Sequence, residues 1–121
     1  MSAGGWCCYT SICQTRGDKL ADCIFEAANK HIKPYETLMV EGKKKGWYDK
    51  YQRPIRTDYS DDDPDQEANF YVLKNTNCAA CLSENFFQDN KADVAFLLSE
   101  EGKEVITKIH VDGICRYVDS L

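Results

Sequence analysis

Proline is scarce in this chain of 121 residues: it has three, and none after Pro64. Seven glycines complete a low count of structure breakers, which excludes a collagen-like or Pro/Gly-rich low-complexity chain. Long hydrophobic runs are also missing. The densest, Val94 to Leu98, is far too short to cross a bilayer. The first residues carry neither a basic segment nor an apolar stretch of the kind a secretory signal needs, and Ser2 stands where N-myristoylation requires glycine. These absences lead us to expect a soluble, cytoplasmic protein with no membrane attachment. Phosphate-binding loops of the Walker type, HExxH and GxSxG do not occur. With only two histidines, His31 and His110, there is little material for imidazole chemistry.

What is present fits one domain spanning 1–121. Hydrophobic residues make up 43% and include 14 aromatics (two Trp, seven Tyr, five Phe), enough to build a core, so global disorder is not expected. Charge is distributed unevenly. Met1 to Thr57 carries ten Lys/Arg against six Asp/Glu, a net +4, while Asp58 to Leu121 carries five against fourteen, a net −9. An acidic chain is a poor general ligand for nucleic acid, whose binding depends on cationic neutralisation of phosphate, and it suits a basic protein partner better. A solvated acidic surface with no partner accounts for the same charge.

Periodicity places one strong helix at about Asp18 to Ile32, with Asp18 as cap and Leu20, Ile24, Ala27, Ala28 and Ile32 as its buried stripe. Pro34 ends it. Tyr35 to Val40 fits strand or helix. Lys43, Lys44 and Lys45 between Gly42 and Gly46 read as the turn of a hairpin continuing through Trp47 to Tyr51. Arg53 to Ala68 is a polar, acidic surface loop. Phe70 to Leu73 reads as a buried strand, and Asn77 to Phe87 as a short helix. Val94 to Leu98 and Glu104 to Val111 read as a hairpin around Gly102, with Val105, Thr107, Ile109 and Val111 on one face. Asp112-Gly113 signals another turn, and Ile114 to Val118 closes as strand or short helix. The expected class is α+β: an N-terminal amphipathic helix packed on a small, mainly antiparallel sheet.

Several constellations bear on chemistry. Seven cysteines is a high, odd count, and without a secretory signal the thiols are expected to be reduced, as small buried hydrophobes. Cys78-Ala79-Ala80-Cys81 is a CxxC after an expected strand and before an expected helix, a context that resembles, over Asn69 to Gln88, the redox motif of thioredoxin-like proteins. That resemblance implies a first thiol activated by the helix N-terminus. Those folds also set a cis-proline opposite the motif, and this chain has no proline there. Cys8, Cys13, Cys78 and Cys81 have spacings used by structural four-cysteine zinc sites, with Cys7 or Cys115 as substitutes. Cys7 or Cys8 ahead of a helix, with His110 far downstream, follows the order of papain-type cysteine hydrolases, which need a thiolate–imidazolium pair.

Asp61, Asp63, Asp65 and Glu67 alternate like the early ligands of a calcium loop. They fail the EF-hand pattern, because Gln66 stands where the turn needs glycine and Val72 where a bidentate glutamate is needed. Together with Asp58 and Asp62 they form an acidic run suited to a basic partner surface. Lys43 to Arg56 mixes six basic residues with Trp47, Tyr48 and Tyr51, a pattern that can bind nucleic acid or simply anchor a soluble hairpin. The reading this supports is a non-catalytic protein-binding module, of inhibitor or immunity type, capturing a basic partner. A zinc-stabilised adaptor and a thiol enzyme are the alternatives.

Overall fold

The computed structural model describes residues 4–13, 15–35 and 55–121. The expected hairpin across the lysine turn and the basic–aromatic stretch through Arg53 lie outside the described residues.

Helix α1, Arg16–Ile32, begins where a capping box can form. Thr15 is the N-cap: its hydroxyl accepts from the Gly17 N–H at 3.1 Å, and the Asp18 carboxylate accepts from the Thr15 N–H. Asp18 is therefore the third residue of the helix rather than its cap, although its carboxylate does bind a terminal N–H. Ala21, Ile24, Phe25, Ala28 and Ile32 face inward, and the helix ends ahead of Pro34 in a single 3-10 turn, Lys33–Tyr35.

The sheet has three strands, with β1 (Cys7–Thr10) central. β2 (Gln66–Glu67) pairs parallel to it, Tyr9 with Gln66 and Thr10 with Glu67. β3 (Leu82–Glu84) pairs antiparallel on the other side, Cys7 with Glu84, Cys8 with Ser83 and Tyr9 with Leu82. The sheet is thus mixed, and its centre comes from the start of the chain. A bridge from Trp6 to Ile55 extends the parallel edge.

The second half is more helical than its sequence suggests. Helix α2, Tyr71–Lys74, replaces the strand expected at Phe70 to Leu73. The helix expected over Asn77 to Phe87 is instead the extended segment that contains β3. The hairpin expected around Gly102 is two helices, α3 (Lys91–Leu98) and α4 (Glu100–Asp119), separated by Ser99. Ser99 accepts from the Gly102 N–H at 3.0 Å and starts α4, with Glu100 and Glu101 in the first turn. Gly102, Val105, Ile109 and Gly113 are buried at three- and four-residue intervals, whereas Thr107 and Val111 are exposed, which is a helical period and not an alternating one. Asp112-Gly113 lies inside this helix, and so does Ile114 to Val118.

The core gathers Trp6 and Cys8 of the β1 segment, the inner face of α1, Ile55, Phe86, and Val105 and Ile109 of α4. Trp6 meets Phe25 edge-on at 5.7 Å, and its indole N–H donates to Asn85 Oδ1 at 2.9 Å. The class is α+β, with the N-terminal helix against the sheet and against α4. No helix among the described residues is long and apolar enough to cross a membrane.

Candidate functional site

Where β1 ends, α1 begins and the acidic loop enters β2, four polar side chains meet. Thr10 closes β1 with no exposed surface; Asp18 lies in the first turn of α1; Asp65 directly precedes β2; and Asp63 stands one proline further out. Backbone pairing forces this meeting. The parallel register of β2 on β1 and the Ala68 N–H donating to the Thr10 carbonyl at 2.9 Å draw the loop over the start of α1. One oxygen from each of Asp18, Asp63 and Asp65 lies within 4.8 Å of the others.

Hydrogen-bond donors are short here. The Thr10 hydroxyl stands 3.1 Å from Asp18 Oδ1 and 3.3 Å from Asp65 Oδ1, and it has one hydrogen for the two of them. Asp18 Oδ2 has the Thr15 N–H. Asp65 Oδ2 is buried without a hydrogen-bond partner, although Asp65 is only 1% exposed. Burial, the facing carboxyl of Asp63 and the charge of Asp18 push the Asp65 carboxyl up to about 8. The Asp22 carboxyl, one turn along α1, is also raised, mainly by burial and then by Asp63 and Asp18.

The rest of the acidic run lies on the outer side of this cluster. Asp58 and Asp62 are exposed, and Asp61, Asp63 and Glu67 are half-buried. Asp58 Oδ1 accepts from the Ser60 N–H at 3.0 Å, and the Asp58 N–H donates to the Pro64 carbonyl at 3.3 Å, which closes the loop on itself. The Glu67 carboxyl faces Asp61 and is raised from its ordinary value by that contact. Of the six acids expected on a partner-binding surface, five retain some exposure, and Asp65 is turned inside. Thr10 and Asp18 belong to the cluster, and their sequence context does not mark them as site residues. Asp18 had a visible role as a helix-start residue; Thr10 gave no signal.

The thiols are arranged differently from a four-cysteine site. Cys8 is buried in the core and meets Cys81, whereas Cys13 and Cys78 are exposed, and the four sulfurs do not converge. The reason is topological: Cys8 sits on the central strand and Cys81 precedes its antiparallel neighbour, while Cys13 and Cys78 lie in loops. A strand follows the CxxC, not a helix, so its thiols lack the N-terminal helix field that the thioredoxin-like resemblance implied. Cys81 is nonetheless lowered, by a hydrogen bond with Cys8. Burial pushes the Cys7 thiol up to about 11, and the hydrogen bond with Cys81, followed by burial, raises Cys8, against thiolate formation at either. His110 Nδ1 lies 2.7 Å from the Ile106 carbonyl, and its Nε2 lies 2.8 Å from the Ser83 hydroxyl. The imidazole is thus held by a serine and not by Cys7 or Cys8. His31 Nε2 pairs with Asp112 of α4 at 3.1 Å.

Comparison of the chain with protein families, with curated proteins and with solved structures finds no match.

Proposed function

We propose that this protein is a non-catalytic binding module, of inhibitor or immunity type, which captures a partner with a basic surface through the acidic loop between Asp58 and Glu67. One observation carries the reading: like charges face each other across the loop. Glu67 lies against Asp61, and Asp58 and Asp62 are exposed on the same loop. Like-charge contacts cost stability unless something positive compensates them. A basic partner supplies that compensation, and a concentrated negative field speeds its capture. The loop is also held at both ends by backbone pairing, Arg56 N–H to the Trp6 carbonyl at 2.7 Å and Ala68 N–H to the Thr10 carbonyl, so little ordering entropy is lost when a partner docks.

The test is affinity capture with the full chain and with D58N/D61N/D62N/E67Q, each at low and high salt. The expected result is a basic protein retained by the wild type at low salt, released as salt rises, and not retained by the variant. A partner held equally by both proteins, or equally at both salt concentrations, refutes the reading.

A further inference from the structure

We infer that Asp18, Asp63 and Asp65 form a binding site for one hard divalent cation of the calcium or magnesium type, at the base of the acidic loop. Two observations carry it separately. The first is convergence: three carboxylate oxygens from two distant parts of the chain lie within 4.8 Å of one another. Oxygens bound to one Ca²⁺ at about 2.4 Å are separated by no more than about twice that distance, so the spacing matches ligands around a common centre. The second is the unmet demand of Asp65. Its side chain is 1% exposed, its Oδ2 is buried without a hydrogen-bond partner, and the Thr10 hydrogen that Oδ1 could accept is contested by Asp18. Two carboxyl groups that face each other with one hydroxyl donor beside them are costly to bury when both are charged, and a cation at this point removes the cost.

The donor set selects the ion. Carboxylate oxygens beside a threonine hydroxyl, with no sulfur or imidazole among them, suit hard cations and disfavour zinc or copper. Among the described residues, no lysine or arginine forms an ion pair with Asp18 or Asp65 that would take the cation's place. Three protein ligands leave the rest of the coordination sphere to water. The bound ion joins α1 to the strand-entering end of the loop, beside the Thr10 hydroxyl that faces both Asp18 and Asp65. It serves as a structural pin beneath the outward carboxylates.

This site is independent of the proposed partner, because it uses the inward acids whereas the capture variant changes the outward ones. The experiment is calorimetric titration of the chelator-stripped full chain with CaCl₂ and separately with MgCl₂, at about 0.15 M NaCl to screen diffuse counterion binding, together with thermal unfolding in each cation. The expected result is one cation bound per chain, a Tm that rises with cation concentration, and an affinity weakened by about tenfold or more in both D65N and D63N. D63N alters a half-buried position and serves as the second variant should D65N fold poorly. Neither heat nor a Tm shift at up to about 10 mM of either cation overturns the inference. So does wild-type affinity in folded D63N and D65N.

Discussion

Gly113 of α4 lies directly on Ile24 of α1: a β-carbon at position 113 would stand 2.7 Å from the Ile24 Cα and 2.6 Å from its Cδ1. The methyl of a flexible side chain can move away, but a backbone Cα in the middle of a helix cannot. Gly113→Ala is therefore expected to push the two helices apart. Ala is a better helix former than Gly by about 1 kcal/mol, and this offsets part of an overpacking cost of about 1–3 kcal/mol or more. The contact is with backbone, so the upper end of that cost applies, and the net expectation is a loss of about 2 kcal/mol, read as a lower denaturation midpoint in urea with an unchanged slope. A variant as stable as the wild type would show that the helices do not approach this closely.

Asp93 carries a second long-range tie. Its side chain is fully buried, and its Oδ2 accepts from the Gly5 N–H at 3.0 Å and from the Phe87 N–H at 3.1 Å, which joins the chain's first described residues to the start of α3. Asp93→Ala leaves two backbone donors without this acceptor in a region that water cannot easily enter. Each such group costs about 1–3 kcal/mol, so a loss of about 2–4 kcal/mol is expected. Chemical unfolding of the variant measures it. A change below about 0.5 kcal/mol would mean that neither contact persists in solution.

The contrast between α1 and α4 shows how far the sequence can be read. In α1 the apolar stripe is helical and only helical, and Pro34 marks its end. In α4, Val105 and Ile109 are four residues apart, a spacing that fits both a helix and an alternating strand, and the β-branched Thr107 and Val111 favour a strand. The decisive signals were Ser99 followed by two glutamates, a helix start, and two glycines, Gly102 and Gly113, placed where backbones pack closely. The candidate site was half legible. The alternation of Asp61, Asp63, Asp65 and Glu67 is visible, but an EF-hand draws its ligands from one loop. Here the third carboxylate comes from α1, and only the parallel pairing of β2 with β1 brings it near. A two-residue strand at a sheet edge has too little periodicity to be seen in the sequence.

Thiol reactivity is expected to follow the burial order. Cys13, Cys78 and Cys115 are exposed, Cys23 and Cys81 are intermediate, and Cys7 and Cys8 are inside, with both buried thiols held in their neutral form. Timed alkylation of the native protein followed by peptide mass spectrometry should label the first three quickly and Cys7 and Cys8 last, slower by about a hundredfold or more, because the buried pair react only when the core opens. Fast labelling of Cys8 would contradict its place on the buried central strand.

Acid sensitivity is expected to be set in part at the α1–α4 seam. Asp112 is held below its ordinary value by the Arg116 guanidinium first, at 3.0 Å from Oδ1, and by His31, at 3.1 Å from Oδ2. A carboxylate whose pKa is lower folded than unfolded contributes stability that is complete above the unfolded value, about 3.9, and is lost as pH falls through the folded value. Loss of this contribution therefore begins near pH 4 and continues below it. Asp112→Asn removes the titrating group, so the Tm of the variant should fall less steeply than that of the wild type between about pH 4 and pH 2.5, while at neutral pH the variant should be the less stable of the two. Parallel Tm-against-pH curves for the two proteins across that window would show that Asp112 is not held by Arg116 and His31 in solution.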